Sequence, residues 1–346
     1  PATGTANYTN PPMDRYYSCQ SCHMRPVTGK GANKRDAPVR SDLPLHDMTG
    51  GNYWMPEAIE WLDARGLLRL GGGMSNQQIQ AMRDGALRAK EQLQLAATLD
   101  VDGNTVRIIN HTGHKLITGY PEGRRMWLQI EWLNSTGNVV RTDGDYGPIT
   151  VLIDDVPMDV NSILDLSGSN TKIYEAHMGM TQEWAKKLMT ELEVPGSLTL
   201  TYNRLTGETE KTLGDLAAMA PGSKLATYHF AMNNTEVHDN RIPPYKMNQA
   251  NAIERNAAPV PLDEYPVDAS GNYPYFDEVT LKPPAGAAAA NIRLLYQHTS
   301  WEYIQFLYEA NKQTSGFLGQ EGKNMLDAWL DLDLEMENSM AEPFVM

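Results

Sequence analysis

Two cysteines and a histidine lie together near the start of the chain, in the run Cys19-Gln20-Ser21-Cys22-His23. Their types and spacing suit the attachment of a c-type haem. The two thiols are placed to add to the two vinyl groups of one haem, and the imidazole that follows directly binds the iron from one face. A redox CxxC pair does not need the histidine, and a structural zinc site normally needs two more ligands. Because the chain has only these 2 cysteines, the motif predicts one haem c per chain, with His23 as the proximal ligand.

The ligand on the other face of that haem is less constrained by the sequence. His46 lies in a Pro- and Gly-flanked loop that can fold back over the haem, so we expect His46 to be the distal ligand. His111 and His114 are alternatives, and His114 alternatively binds a haem on a neighbouring chain or module. A methionine is a further alternative, since the chain has 18 of them and Met48 and Met55 are close to the motif. Two imidazoles would stabilise ferric iron relative to a His/Met pair and so lower the reduction potential.

The cysteine count and the net charge bear on the compartment and on the partners. With both cysteines used by the haem, no disulfide framework remains and the fold depends on its core. Haem is attached to such motifs after export, so we expect a periplasmic or extracellular protein. The chain starts at Pro1 without signal-peptide features, as expected of a processed chain, and it contains no membrane-spanning apolar stretch. The net charge of -14 argues against nucleic acid as a partner.

The elements expected to position the haem lie in the first hundred residues. Residues 1–45 show little hydrophobic period and are predicted to be mostly loop. A helix is predicted from Glu57 to Leu70, after Pro56 in a favourable first-turn position. A second helix, capped by Ser75, is predicted to run to about Thr98. Residues 1–100 are therefore interpreted as a haem-binding region with two helices.

From residue 101 the hydrophobic period changes from that of a helix to that of a strand. Residues 105–109 and 125–133 alternate in polarity, and further short strands are predicted at 197–202, 225–231, 279–281 and 291–297. We interpret residues 101–299 as a β-rich, sandwich-like antiparallel domain with helical pieces near 181–191 and 214–219. Residues 300–346 are predicted to form a helix capped by Ser300 and an acidic, partly extended tail from Leu326. The predicted fold class is α+β.

Several motifs of this chain resemble a known family. The run from His111 to Trp127 contains the pattern GHK-x2-TGYPE-x-RR, and 45–52, 238–244 and 295–304 fit the same family in the same order. The chain resembles multihaem c-type cytochromes of anaerobic, metal- or nitrogen-cycling microbes. The resemblance implies a haem-bearing N-terminal part, a C-terminal β-rich domain and a role in electron transfer, with His46 at the position of the sixth ligand. The chain departs from this family because it carries one haem motif and not several.

The predicted function is therefore electron transfer to or from the haems of partner cytochromes in an exported assembly, such as a homo-oligomer or a filament. Arg124 and Arg125 are candidates for binding the haem propionates, or for anchoring nearby carboxylates and carbonyls of the fold. The alternative function is a haem enzyme or ligand sensor with an open distal position. The sequence contains no GxSxG, HExxH or phosphate-loop motif, so a hydrolase is not favoured.

Overall fold

The structure is a computed structural model that describes residues 18–116, 118–167, 169–312, 314, 316–334 and 343–346. Helices and strands alternate irregularly along this part of the chain. The helices are α1 (Cys19–His23), α2 (Met55–Ala64), α3 (Asn76–Gln94), α4 (Gln182–Glu191), α5 (Leu213–Ala218), α6 (Gln249–Glu254), α7 (Trp301–Asn311) and α8 (Glu321–Leu334), with a 3-10 helix at Phe230–Met232. None of the helices in the described ranges is long and apolar enough to cross a membrane.

The strands pair antiparallel in every sheet that the described residues form. They are β1 (Pro26–Lys30), β2 (Val39–Pro44), β3 (Ala97–Asp102), β4 (Thr105–Asn110), β5 (Arg125–Leu133), β6 (Val139–Asp143), β7 (Tyr146–Ile153), β8 (Val156–Ile163), β9 (Ile173–Thr181), β10 (Thr199–Tyr202), β11 (Thr209–Thr212), β12 (Lys224–Ala226), β13 (Thr235–Asp239), β14 (Phe276–Thr280), β15 (Ala289–Gln297) and β16 (Phe344–Val345). The largest sheet has the order β12-β9-β5-β15-β16, with β13 also paired to β9 and β6 to β5. A second sheet has the order β14-β4-β3, and β1–β2, β7–β8 and β10–β11 are separate pairs. The mixed α and β architecture with antiparallel sheets agrees with the predicted class.

The main core lies where the side chains of the largest sheet meet those of the β14-β4-β3 sheet. Strand β4 buries Val106 and Ile108 there. Strand β5 buries Leu128, Ile130 and Trp132 in the same cluster, at the alternate positions that the sequence predicted for one face. Each such side chain contributes about 1.5–3 kcal/mol when it leaves water. This core holds the ends of β4 and β5 in place, and with them the loop from residue 111 to 124 that joins these strands.

The two helices predicted near the haem motif are present, but both are shorter than predicted: α3 ends at Gln94 and not near Thr98, which lies in β3. Helix α3 begins after Ser75, whose hydroxyl accepts a hydrogen bond from the backbone N–H of Gln78 in a capping box, so the predicted cap is confirmed. Helix α2 ends at Ala64 and does not extend to Leu70. The chain turns at Gly66, whose φ of +66° is the left-handed conformation that commonly ends a helix.

Three further segments differ from their predicted structure. The strand predicted at 225–231 is a strand only in β12, which ends at Ala226, and a 3-10 helix begins at Phe230. Residues 26–44 form the β1–β2 hairpin and not a loop, and most of its side chains are exposed. Since backbone hydrogen bonds and not apolar burial hold this hairpin, its sequence carries no strong period of two. The extended tail predicted from Leu326 is also wrong at its start, because residues 326–334 belong to helix α8. Leu326 and Trp329 of α8 lie one helical turn apart and are both buried. Residues 335–342 of the predicted tail lie outside the described residues.

Helices from the two ends of the chain share a second core. Trp54 and Trp61, at the start and within α2, pack in one cluster with Trp301 of α7 and Trp329 of α8. The indole N–H of Trp61 donates to Asp331 of α8 at 2.9 Å. The predicted segments 1–100 and 300–346 are therefore joined by tertiary packing.

Candidate functional site

Helix α1 brings the three residues of the CxxCH motif to one side. Cys19, Cys22 and His23 are at positions i, i+3 and i+4, which share a face of an α-helix. Ser18 precedes the helix in extended conformation and forms a capping box with Ser21. This short helix therefore presents two thiols and one imidazole together, as attachment to one planar ligand requires.

The ring of His23 is held from behind by the loop that follows the β1–β2 hairpin. Its Nδ1 lies 2.8 Å from the carbonyl oxygen of Thr49, and because a carbonyl only accepts, Nδ1 is the donor. The hydroxyl of Thr49 donates to Asp47, which also binds Arg88 of α3. Burial acts to raise the pKa of Asp47, but these hydrogen bonds outweigh it and hold the pKa below its usual range. The arrangement fixes the orientation of the imidazole and leaves Nε2 to bind a metal.

The three motif residues line a cavity of about 880 Å³. This volume lies within the range of sites that hold a cofactor or a drug-sized ligand, about 300–1,000 Å³. Its other walls are the 50–52 turn, the C-terminal part of α3 and the loop that joins β4 to β5. Gly51 and Leu93 both line this wall. A Cβ atom at position 51 would lie 2.9 Å from Leu93, too close for an ordinary contact. The donor set and the size of the cavity therefore fit a haem c.

A second imidazole, that of His114, faces His23 inside this cavity. The two ring centroids are 6.2 Å apart, with an angle of 67° between the ring planes. An imidazole bound to a metal through a bond of about 2 Å has its centroid about 3 Å from the metal, so two axial imidazoles have centroids about 6 Å apart. Burial, together with the positive charges of His23 and Arg241, lowers the pKa of His114. A lower pKa favours the neutral imidazole, which is the form that binds metals.

Asn110, at the end of β4, holds the loop that carries His114. It is 2% exposed, and its side-chain amide donates to the carbonyl oxygens of His114, Ile242 and Pro243 at 2.8, 2.9 and 3.1 Å. Its Oδ1 accepts from both the backbone N–H and the hydroxyl of Thr112. Asn110 was not predicted as a site residue; its place directly before the HTGH run was the available signal.

A buried charge cluster ties the same loop to β13. Asp239 is fully buried and binds Lys115 on one side and Arg241 on the other. Arg241 also donates to the carbonyl oxygen of Thr118 at 2.7 Å. Burial acts to raise the pKa of Asp239, but the two cations outweigh it, so the pKa lies below its usual value and the carboxylate stays charged. Two of the segments that carried the family resemblance, 111–127 and 238–244, therefore meet at this cluster.

The remaining ligand candidates differ in their position relative to the cavity. His46 is exposed in the turn after β2 and is not part of the cavity wall. His111 does line the cavity, but its Nε2 lies 2.8 Å from the hydroxyl of Thr98. Within the described ranges no methionine contributes to the wall, and Met48 is 57% exposed. The cavity thus brings Cys19, Cys22 and His23 together with His114 and not with His46.

The two adjacent arginines have different surroundings. Arg124 lines the cavity, where its guanidinium donates to the hydroxyl of Thr118 at 2.8 Å. Arg125 is buried away from the cavity and pairs with Glu302 of α7 at 3.1 Å, with a further hydrogen bond to Gln297. Arg124 is therefore positioned to meet a carboxylate of a ligand in the cavity, whereas Arg125 anchors α7 to the largest sheet.

The described residues contain no cluster of three or more histidine, cysteine or acidic side chains arranged to hold a bare metal ion. A haem differs in this respect, since its macrocycle supplies four nitrogens and the protein adds only axial ligands. Comparisons of the chain with protein-family models, with curated proteins and with solved structures found no match.

Proposed function

We propose that the chain is a c-type cytochrome that transfers electrons, with one haem attached to Cys19 and Cys22 and its iron bound by His23 and His114. The observation that carries this proposal is the pair of imidazoles facing each other across a cavity that both cysteines line. The resemblance to multihaem c-type cytochromes points to the same function. A haem supplies iron that alternates between Fe(III) and Fe(II).

Each residue of the site has a defined task in this proposal. The thiols fix the haem, and the Thr49 carbonyl sets the orientation and the basicity of His23 through Nδ1. Asn110 and the Asp239 cluster hold the His114 loop, so the second ligand is preorganised. Arg124 binds a propionate. A site with little freedom of movement favours electron transfer because its ligands need not rearrange between oxidation states.

The position of His114 favours a carrier over the enzyme or sensor alternative. An enzyme that binds a small nitrogen, sulfur or oxygen species at the iron needs an open distal position. The ring centroid of His114 lies 6.2 Å from that of His23, which supports the proposal that His114 would fill that position. We therefore assign His114 in place of His46 as the distal ligand. We further propose that the electron partners are haems in an exported oligomeric assembly, periplasmic or extracellular. The haem motif and the resemblance support this proposal.

The test uses two matched variants, His114→Ala and His46→Ala, of protein produced with haem c attachment. Spectra of the dithionite-reduced protein are recorded before and after carbon monoxide is added. We expect a low-spin spectrum that carbon monoxide leaves unchanged in the wild type and in His46→Ala. We expect His114→Ala to bind carbon monoxide promptly, because its sixth position is open.

The other outcomes separate the competing assignments. If His46→Ala binds carbon monoxide and His114→Ala does not, His46 is the distal ligand and the carrier function stands. If the wild type itself binds carbon monoxide promptly, the enzyme or sensor function is favoured. Protein without covalently bound haem would contradict the proposed function as a whole.

A further inference from the structure

Three cavities follow one another from the surface of the largest sheet to the candidate haem cavity. The first, of about 210 Å³, is lined by His177, whose side chain is 31% exposed. His177 also lines a second cavity of about 10 Å³, which is room for roughly one water molecule. Arg124 lines this small cavity and the 880 Å³ cavity as well. Shared wall residues thus place the three cavities next to one another.

An acid–histidine cluster, formed by Glu122, Glu175 and His177, lies beside these cavities. Glu175 and His177 line the 10 Å³ cavity, and Glu122 directly precedes Gly123 of its wall. His177 and Glu175 are two residues apart on β9, and their Nε2 and Oε1 atoms are 3.0 Å apart. Glu122 is 3% exposed, and its Oε1 accepts no hydrogen bond from the described residues. A buried carboxyl oxygen without a partner is costly when ionised, so this group has a physical reason to take a proton.

Charged and titratable groups surround the cluster on all sides. His238 of β13 faces the cluster, and its ring centroid lies 5.9 Å from that of His177. The other groups that face the cluster are Arg124, Arg125, Tyr228, and Glu302 and Tyr303 of α7. Arg125 and Glu302 are paired with each other at 3.1 Å, and Glu302 also binds Arg204. The charges of Arg125 and Arg204 outweigh the burial of Glu302 and lower its pKa, so this carboxylate stays ionised.

The pKa values of the cluster agree with this assignment. Burial raises the pKa of Glu122, which the positive charge of His177 only partly offsets. Burial acts to lower the pKa of His177, but the carboxylates of Glu175 and Glu122 outweigh it and raise that pKa. Glu175 stays ionised because burial is outweighed by His177, Arg125 and His238, which hold its pKa at about 2. Glu122 and His177 thus both titrate closer to neutral pH than a glutamate at the surface would.

We propose that the acid–histidine cluster takes up a proton from solvent when the haem is reduced, so that electron transfer in this protein is coupled to proton uptake. This inference rests on the proposed function. A haem held by Cys19, Cys22, His23 and His114 would supply the iron that accepts an electron from a partner haem. The proton enters through the 210 Å³ cavity and binds within the cluster, and no covalent bond forms or breaks at the haem. The added electron makes the nearby potential more negative, which favours the protonated form of the cluster.

The experiment measures the midpoint potential of the holoprotein by spectroelectrochemistry from pH 5 to pH 9. Three proteins are compared: the wild type, Glu122→Gln, and Glu264→Gln as a matched control. Glu264 pairs with Lys172 and lines none of the three cavities. We expect the wild-type and control potentials to fall as the pH rises through the range in which histidine titrates. The potential of Glu122→Gln should vary much less with pH.

A second measurement does not depend on electron transfer. Nuclear magnetic resonance of the reduced holoprotein gives the pKa of His177, and we expect Glu122→Gln to lower it because a negative neighbour is lost. If Glu122→Gln does not fold, His177→Gln replaces it in the potential measurement. A wild-type potential that is independent of pH, or an unchanged slope in the variant, would overturn the inference alone. Protein that carries no haem would overturn the proposed function and this inference with it.

Discussion

Residues 18–52, which carry the haem motif, include no buried side chain, whereas the β-rich part from residue 105 to 297 contains most of the main core. The first region is held by backbone hydrogen bonds of the β1–β2 hairpin and by a few polar contacts with α3. The second region is held by apolar side chains from two sheets. A segment without buried side chains gains little stability from the removal of apolar surface from water. It therefore needs another apolar surface to pack against.

A haem in the 880 Å³ cavity would supply that body. The motif residues lie on one wall of this cavity, and the opposite wall belongs to the loop between β4 and β5. The two regions are therefore expected to divide the tasks: the β-rich part folds on its own core and presents His114, and the first region would become ordered on a bound haem. Three changes test this division.

The largest effect is expected from removing both thiols together, Cys19→Ala with Cys22→Ala. Without covalent haem, residues 18–52 should become sensitive to protease, while the β-rich part keeps its cooperative thermal unfolding. Limited proteolysis followed by mass spectrometry measures the first effect and circular dichroism the second. Gln20→Ala, an exposed change between the two cysteines, is the control and should leave both unaltered. Equal protection of residues 18–52 from protease, with and without haem, would contradict the proposed division of tasks between the two regions.

A change in the main core should destabilise the β-rich part, residues 105–297. Leu128→Ala removes a side chain that is 1% exposed and should lower the free energy of unfolding by about 2–5 kcal/mol. Leu87→Ala on α3, where the side chain is 59% exposed, is the control and should change it by less than about 0.5 kcal/mol. Urea titration followed by tryptophan fluorescence measures both. If Leu87→Ala lowered the free energy of unfolding as much as Leu128→Ala, burial of the side chain would not decide the stability of the β-rich part.

The smallest effect is expected from Arg88→Ala, which removes the α3 partner of Asp47. Both side chains are partly exposed, so the loss should be about 0.2–1 kcal/mol. Since the pKa of Asp47 is held below its ordinary 3.8, the pair stabilises the fold above that pH and its contribution fades as the pH falls further. Hydrogen exchange should accelerate in residues 45–50 and not in β5. Arg83→Ala, which removes a pair within the α2–α3 contact, should leave residues 45–50 unchanged.

Much of the fold was predictable because it is written in local patterns. The alternation from Arg125 to Leu133 gave the bounds of β5, and Ser75 marked the start of α3. The β1–β2 hairpin was missed because its side chains are exposed and carry no apolar period. Helix α8 was missed because its acidic residues obscured the spacing of Leu326 and Trp329, which only the packing on α7 makes evident.

The sequence by itself determined the chemistry of the first wall of the cavity. Cys19, Cys22 and His23 are close in the chain, and any short helix places them on one face. Which imidazole faces His23 was decided only by the tertiary structure. His46 is nearer in sequence, but the turn after β2 leaves it exposed, whereas Asn110 and the Asp239 cluster hold His114 opposite His23. Distance along the chain does not measure distance in space once sheet pairing and buried charges fix a loop.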